Sequence, residues 1–333
     1  MDNYKGVLIC GEIVEGKLSP VSVELLGAGR KLAGDLGEEL SILLMGSKAG
    51  ELAQEAIALG ADTVYTAEDA ALDAYNSDAY TQVAANLCKK ALPAIILFGH
   101  TDIGCDLSPR LNGRLGGGLA MECMTLSIDA ATKSLLAVRP VFGGNAHATM
   151  VSKAARPQMA TVRAKVFGPA ERADAREGKV VPVEDKLDAS LLKVKVVEKI
   201  KEQVEGVKLE DAEIVVSGGR GMGNAQDFAK LRELADILGG AVGATRVACD
   251  EGWAPATLQV GQSGKVVSPK IYFAIGLSGA MAHLAGCLGA KNIVAINKDK
   301  EANIFNVAHF GIVGDWKEVL PALTAKFREL KGK

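Results

Sequence analysis

The sequence predicts an α/β protein built from two domains. Short runs of β-branched and apolar residues alternate with segments whose apolar residues recur three and four positions apart, as strands and helices do around a parallel sheet. The chain has 333 residues, which is long for a single hydrophobic core. A charge-rich, aromatic-poor stretch between residues 171 and 210 interrupts the alternation. We therefore expect an N-terminal domain at 1–190, a linker at 191–210 and a second domain at 211–333.

The first domain opens with strand and helix in alternation. We expect strands at 7–10, 40–45, 63–65 and 94–98, helices at 21–36, 50–59 and 78–91, and a further helix that follows Gly104 and runs through Arg110. Such an order predicts a parallel sheet with helices on both faces. After Cys123 the pattern changes to strand and turn, so segments 124–129, 134–139, 146–151 and 159–166 are expected to form an antiparallel extension.

Two features of this half could indicate a site. Gly116, Gly117 and Gly118 stand together, but they lack the following Lys-Ser/Thr of a P-loop, and we interpret them as the turn that ends a helix. His100 stands near Asp102, a pair that acid–base chemistry could use. Because no nucleophile accompanies the pair, a capping or turn role is the preferred interpretation.

The second domain repeats the α/β pattern around polar loops. Strands are expected at 214–216, 266–267, 271–275, 293–296 and 311–313, and helices at 224–238, 279–288 and 316–330, with a helical segment at 200–207 before them. Parallel strands that end in Gly, Ser or Asn place ligand-binding loops at one edge of a doubly wound sheet. Loops that begin helices also offer free N–H groups to a phosphate. We therefore expect a phosphate-bearing cofactor in this domain.

Composition excludes several classes of function. A formal net charge of -2 and interleaved acidic residues argue against a nucleic-acid-binding surface. No apolar run approaches the roughly 20 residues that span a bilayer, and we expect no membrane insertion. The start of the chain lacks a signal-peptide layout, so we expect a cytoplasmic protein. The six cysteines and four histidines show no metal-ligand spacing, so redox chemistry would require a bound organic cofactor.

A set of short motifs recurs in a fixed order through the second half of the chain: Ser217-Gly218-Gly219-Arg220-Gly221, Val242-Gly243-Ala244-Thr245-Arg246, Gln259-Val260-Gly261-Gln262-Ser263-Gly264-Lys265, Tyr272-Phe273, Ile275-Gly276-Leu277-Ser278-Gly279-Ala280, His283-Leu284-Ala285-Gly286, Val294-Ala295-Ile296-Asn297-Lys298-Asp299, Asn303-Ile304-Phe305 and Gly311-Ile312-Val313-Gly314-Asp315. In this order and spacing they resemble the alpha (large) subunit of electron-transfer flavoproteins. The first half agrees more loosely, through Ser108-Pro109-Arg110, Arg139-Pro140, Gly144-Asn145-Ala146 and residues 156–163.

The resemblance implies a flavodoxin-like or Rossmann-like second domain that binds FAD, and a first domain that contacts a partner, the beta subunit, in a heterodimer. It implies electron passage between an acyl-CoA or butyryl-CoA dehydrogenase and a further carrier. Two versions of that function stay open. One is a simple relay, and the other splits the electrons of NADH between a crotonyl-CoA-type acceptor and ferredoxin or flavodoxin, with a second flavin in the beta subunit.

The resemblance also implies which residues contact the FAD. These are Arg220, Thr245, Arg246, Val260, Gly261, Gln262, Ser263, Ser278, Gly279, Ala280, Met281, Ala282, His283, Asn297, Asp315 and Trp316. Neither a catalytic nucleophile nor a metal ligand is expected among them, since a flavin that carries electrons needs groups that tune its charge rather than covalent help.

Individual roles follow from the same resemblance. Arg246 is expected near the isoalloxazine ring, where a permanent positive charge favours the reduced, anionic ring and raises its potential. Ser263 is expected to hydrogen-bond flavin N5, and His283 to donate to flavin O2. Arg220 is expected near a phosphate, Asn297 at the phosphate–ribitol chain and Asp315 at the adenosine end.

Each of these residues also has a simpler explanation. Arg220 and Arg246 could form surface ion pairs, and His283 could be a core histidine whose hydrogen bonds are satisfied. Asp315 could cap the last helix, and Ser263 could be a turn serine. Two competing functions remain as well: an NAD-dependent oxidoreductase or transferase, which would need a base such as His283, and an adenine-nucleotide-binding regulatory module.

Overall fold

The computed structural model describes residues 3–144, 146–185, 187–198 and 206–332. The chain forms two compact units, Met1–Val141 with Ala146–Ile200 and Phe142–Asn145 with Lys201–Lys333. Each unit has its own parallel sheet and its own hydrophobic cores. The helical segment expected at 200–207 falls largely on residues 199–205, which lie outside the described residues.

The strands of the first unit are β1 (Val7–Cys10), β2 (Ile13–Val14), β3 (Lys17–Leu18), β4 (Leu40–Met45), β5 (Thr63–Ala67), β6 (Ile95–Gly99), β7 (Gly118–Cys123), β8 (Thr125–Ile128), β9 (Leu135–Val141), β10 (Ala146–Val151), β11 (Gln158–Val162) and β12 (Lys179–Pro182). Its helices are α1 (Pro20–Leu36), α2 (Ala53–Ala58), α3 (Ser77–Ala91) and α4 (Asp102–Leu115). Short 3₁₀ turns occur at Ala49–Leu52, Ala70–Leu72 and Ala189–Leu191, and the turn Phe142–Gly144 belongs to the second unit.

A seven-stranded parallel sheet forms the centre of the first unit, in the order β12-β5-β4-β1-β6-β11-β7. Side chains of β1 alternate between two cores, with Val7 and Ile9 in one and Leu8 and Cys10 in the other. Because both faces of the sheet are covered, its central strands are apolar throughout rather than alternating.

The helices of this unit begin and end at residues with the expected chemistry. Ser19 caps α1 by accepting a hydrogen bond from the Ser22 N–H. Thr101, next to His100, caps α4 in the same way, so the expected capping role belongs to Thr101. The Nδ1 atom of the His100 ring instead lies 2.8 Å from the Thr161 hydroxyl.

Gly116 ends α4 in the left-handed conformation at φ 68°, as the helix-ending interpretation of Gly116, Gly117 and Gly118 requires.

One strand assignment in the first domain is wrong. The segment expected at 159–166 as an antiparallel strand is β11, which pairs in parallel with β6 and β7 in the main sheet. All five residues of β11 are buried, which is typical of a strand covered on both faces, and flanking turns alone do not reveal the strand's direction. Among the described residues, the antiparallel extension contains β8, β9 and β10. Strand β7, which starts at Gly118, was not predicted.

The second unit contains strands β13 (Ile214–Gly218), β14 (Ala241–Ala244), β15 (Ile271–Ile275), β16 (Asn292–Asn297) and β17 (Phe310–Val313). Its helices are α5 (Ala225–Leu238), α6 (Arg246–Asp250), α7 (Met281–Cys287) and α8 (Trp316–Leu330), with 3₁₀ turns at Arg220–Met222, Ala256–Leu258 and Asn303–Asn306. The strand expected at 266–267 does not form. Val267 is buried but donates its N–H to the Gly286 carbonyl, so it packs against α7 rather than in the sheet.

The five strands of the second unit form one parallel sheet in the order β14-β13-β15-β16-β17. One core contains the inner face of α7, and the other contains those of α5 and α8, so helices cover both faces. The predicted α/β class, with a doubly wound second sheet, is confirmed. Among the described residues, no helix is both long enough and apolar enough to cross a bilayer.

Candidate functional site

The sequence-predicted site residues meet at one edge of the second sheet. Strand pairing aligns the last residues of neighbouring strands, for example Gly218 with Ala244 and with Ile275. Every loop that follows these strands therefore leaves the sheet at the same edge. The predicted residues on these loops are Arg220 after β13, Thr245 and Arg246 after β14, Ser278 to His283 after β15, Asn297 at the end of β16, and Asp315 and Trp316 after β17.

The topological switch point of this sheet lies between β13 and β15. The chain leaves β13 toward β14 on one side and returns to β15 on the other. The two loops at this point pack backbone to backbone, since the Gly221 N–H donates to the Gly276 carbonyl at 2.8 Å. A Cβ on Gly221 would lie 2.6 Å from that carbonyl oxygen. The glycines beside Arg220 therefore serve close packing, and the exposed Arg220 side chain is directed to solvent.

The loop after β15 carries unpaired backbone donors. Within the described parts of the chain, the N–H groups of Ser278, Gly279 and Ala280 donate no hydrogen bond. Ala280 is the N-cap of α7 and provides no side-chain cap. Consecutive free N–H groups at the start of a helix match the acceptor oxygens of a phosphate group. This loop is therefore suited to bind an anion at the sheet edge.

The predicted stretch from Val260 to Ser263 lies beside this loop. Val260 donates its N–H to the Ala244 carbonyl at the end of β14, and Gln262 donates to the Ala282 carbonyl on α7. Gly261 has φ 143°, and a Cβ there would lie 2.7 Å from the Ala282 oxygen, so only glycine permits this contact. The exposed Ser263 accepts a hydrogen bond from the Gln259 side chain and keeps its own hydroxyl hydrogen for another partner.

Arg246 begins helix α6 directly after the N-cap residue Thr245. Its side chain is 70% exposed and pairs with Asp250 one turn later, Nε to Oδ2 at 3.4 Å. An exposed pair of this kind contributes little to stability. The guanidinium therefore lies at the surface of the sheet edge, held weakly enough to turn toward another anionic group.

His283 lies on the inner face of α7 rather than on its surface, with 7% of its area exposed. Ring Nδ1 lies 3.0 Å from the Val260 carbonyl oxygen, and Nε2 lies 2.9 Å from the Tyr272 hydroxyl. Burial lowers the pKa of His283 to about 4, so the ring is neutral at neutral pH. Both nitrogens are thus engaged inside the unit, and the expected donation to flavin O2 stays a prediction.

Asn297 and Asp315 also have partners within the unit. The Asn297 amide donates to the Leu277 carbonyl at 2.9 Å and accepts from the Asp299 N–H, which ties the end of β16 to the loop after β15. Asp315 caps α8 by accepting from the Lys317 N–H. The Asp315 contact supports the capping alternative for that residue. The Asn297 contacts hold the loop after β15, with its free N–H groups, against the end of β16.

Trp316 anchors the first turn of α8 at the same edge. Its indole N–H donates to the Gly221 carbonyl at 2.9 Å, and the side chain is 6% exposed. Lys230 and Lys317 stand over its ring, with Nζ atoms 5.0 and 5.7 Å from the centroid. Trp316 therefore holds the loop that carries Arg220.

The sequence analysis did not assign Tyr272 to the site. This side chain is fully buried in β15 and contacts His283 through its hydroxyl. A signal was present, because Tyr272 places a phenol in a strand that is otherwise apolar, and a buried phenol needs a hydrogen-bond partner.

The carboxyl edge of this doubly wound parallel sheet brings together free N–H groups, two arginines and a loop whose packing requires glycine. These features define an α/β protein that binds a nucleotide cofactor. Comparison with known families specifies the cofactor. Residues 7–188 match the Electron transfer flavoprotein domain, and residues 208–288 match the Electron transfer flavoprotein FAD-binding domain. The chain belongs to the electron transfer flavoprotein alpha-subunit family, and FAD is its cofactor.

Relatives that match over nearly the whole chain agree with this assignment. The chain is 46% identical over 331 residues to an electron transfer flavoprotein subunit alpha from Megasphaera elsdenii, covering 99% of this chain and 98% of the relative. It is 44% identical over 331 residues to the corresponding subunit from Thermoanaerobacterium thermosaccharolyticum, covering 99% and 100%. It is 38% identical over 320 residues to the lactate dehydrogenase (NAD(+),ferredoxin) subunit LctC of Acetobacterium woodii, covering 96% and 76%.

Proposed function

We propose that this chain is the alpha subunit of a heterodimer and that it binds FAD at the carboxyl edge of the second sheet. There it would pass electrons one at a time between a dehydrogenase of the acyl-CoA or butyryl-CoA type and a further carrier. The observation that carries the proposal is the convergence of the predicted residues on one edge, beside the unpaired N–H groups of Ser278, Gly279 and Ala280. FAD supplies the redox chemistry when bound, through its isoalloxazine ring.

The described residues fit a flavin nucleotide in their chemistry. Free N–H groups after β15 and the exposed guanidinium of Arg220 suit the pyrophosphate. The loop from Val260 to Ser263 presents a hydroxyl, and Arg246 presents a mobile positive charge. In this proposal Arg246 stabilises negative charge on the ring, Ser263 hydrogen-bonds it, and Arg220 binds phosphate. Asn297 acts by bracing the loop after β15.

We propose further that the heterodimer takes part in NADH-dependent electron splitting, with ferredoxin or flavodoxin as one acceptor and a crotonyl-CoA-type compound as the other. The support is a relative whose name joins NAD(+) to ferredoxin, at 38% identity over 96% of this chain. The simple relay is the alternative, and the cofactor count described below distinguishes the two.

An NAD-dependent oxidoreductase or transferase on this sheet would need a base in the site. His283 is the residue that the sequence offers for that role, and its ring is buried with both nitrogens hydrogen-bonded. The geometry therefore does not favour this alternative.

The test is a cofactor count on the purified heterodimer formed with the beta subunit. We expect visible flavin absorbance, and FAD released on denaturation. Two FADs per heterodimer support electron splitting, whereas one FAD with one AMP supports the relay. A colourless, correctly assembled heterodimer that binds NAD alone would refute the proposed function.

A further inference from the structure

The indole of Trp316 lies between a loop of the candidate site and a positive charge on another helix. Its N–H donates to the Gly221 carbonyl at 2.9 Å. The Nζ atom of Lys230, on α5, lies over the ring at 5.0 Å from its centroid. Because Trp316 is the first residue of α8, these two contacts join α8 both to α5 and to the loop after β13.

Lys230 is held over the indole by the first turn of its own helix. Its Nζ atom lies 3.0 Å from Asp227 Oδ1, and the Asp227 side chain is 12% exposed. The other carboxylate oxygen of Asp227 accepts a hydrogen bond from the side-chain amide of Asn224, the N-cap of α5, at 3.0 Å. Since both oxygens of Asp227 are engaged, the ammonium group has a defined position that an isolated surface lysine lacks.

A second lysine also faces the ring, but it cannot connect two elements. The Nζ atom of Lys317 lies 5.7 Å from the centroid of Trp316. Lys317 follows Trp316 directly on α8, so it moves together with the indole. A cation over an indole face is attracted by the ring. Lys230 exerts this attraction from α5, and it therefore resists any turn of the indole away from Gly221.

Gly221 is fixed through both of its backbone groups. Its N–H donates to the Gly276 carbonyl at 2.8 Å, and its carbonyl accepts from the Trp316 indole. Arg220 directly precedes Gly221, and its side chain is exposed. Within the described ranges of the chain, the Arg220 guanidinium has no ion-pair partner. The location of this guanidinium therefore depends on the backbone that carries it, which the indole holds on one side.

We propose that Lys230 is a positioning residue of the FAD site, which acts through the Trp316 indole to fix Gly221 and so places Arg220 against the pyrophosphate of FAD. This inference rests on the proposed function for its last step. Its first step, the order of the indole, concerns the protein alone. Because the attraction requires a positive charge, arginine should replace Lys230 and the uncharged methionine should not.

The first experiment follows the indole N–H groups by NMR on the ¹⁵N-labelled full chain, before FAD is added. The chain has two tryptophans, so the signal of Trp253 is an internal reference. In Lys230→Met we expect the Trp316 N–H to exchange with solvent about threefold faster, the effect of losing one cation over a ring. In Lys230→Arg we expect the wild-type rate.

Lys326→Met is the matched control. Lys326 also pairs with an acid three residues away on its helix, since its Nζ atom lies 2.8 Å from Glu329 Oε2. Among the described residues it faces no aromatic ring, so we expect no change at Trp316. An unchanged Trp316 rate in Lys230→Met would overturn the proposal. Equal acceleration in Lys230→Met and Lys230→Arg would overturn it as well, because the charge would then have no role.

The second experiment titrates FAD into the complete heterodimer. We expect FAD to bind about threefold more weakly to Lys230→Met than to wild type, with Lys230→Arg and Lys326→Met at the wild-type affinity. If Lys230 acts through Arg220, adding Lys230→Met to Arg220→Ala should cause no further loss. Losses that multiply in the double variant would refute the positioning role, and so would an unchanged affinity in Lys230→Met.

Failure of the proposed function would be recognised separately. A wild-type heterodimer that bound no FAD would refute that function, and the positioning of Arg220 against FAD would fail with it. The indole exchange rates in the chain without FAD would still test the contact between Lys230 and Trp316.

Discussion

Arg246 is the residue on which the proposed redox role depends most directly. The resemblance of its motif predicts that Arg246 lies near the isoalloxazine ring. The structure places its guanidinium at the sheet edge, in an exposed ion pair with Asp250. A side chain held by so weak a pair can reorient at small cost. Its permanent charge then stabilises negative charge nearby.

We expect Arg246→Ala to lower the reduction potential of the bound flavin. Loss of the positive charge disfavours the reduced, anionic ring, by about 30 to 60 mV if the one-electron equilibrium changes up to tenfold. A spectroelectrochemical titration of the heterodimer measures this. Arg232→Ala, also exposed but on α5, is the matched control. Equal potentials in both variants and wild type would remove Arg246 from its proposed role.

At the scale of elements, the site depends on how closely loops approach one another. Gly279, with φ 78°, packs so tightly on the 3₁₀ turn Asn303–Asn306 that a Cβ would lie 2.3 Å from the Ile304 nitrogen. This contact orients the free N–H groups after β15. Gly239 provides a comparison, since it ends α5 at φ 70° and a Cβ there would meet no atom within 4 Å.

We expect Gly279→Ala to lower the free energy of unfolding of the second unit by about 3 kcal/mol, and Gly239→Ala by about 1 kcal/mol. Both substitutions place a Cβ on a left-handed backbone, but only the first adds a clash with backbone atoms. Urea denaturation followed by tryptophan fluorescence measures the difference, because both tryptophans, Trp253 and Trp316, lie in the second unit. Equal losses would show that the contact at Ile304 relaxes without cost.

At the scale of the whole molecule, the two units have separate cores. The second unit buries side chains on both faces of its own five-stranded sheet, and none of the predicted FAD contacts belongs to residues 1–190. The domain limits 1–190, 191–210 and 211–333 are a proposal, in which the first domain contacts the beta subunit and the second binds FAD.

We expect a chain lacking residues 1–190 to keep FAD affinity within about tenfold, a change of about 1.4 kcal/mol, and to lose assembly with the beta subunit. Size-exclusion chromatography with the beta subunit and FAD titration of the same sample measure the two effects beside the full chain. A truncated chain that assembles normally yet binds no FAD would contradict this division of roles.

The sequence by itself determined the α/β class, the family and the loops that form the candidate site. Local chemistry suffices for these, since apolar periodicity, helix caps such as Ser19 and glycine-bearing motifs act over a few residues. Sequence patterns did not predict the direction of β11, because a strand's neighbours are set by contacts far along the chain. They did not predict the orientation of the His283 side chain for the same reason. Only tertiary packing brought Tyr272 and the Val260 carbonyl to its two nitrogens.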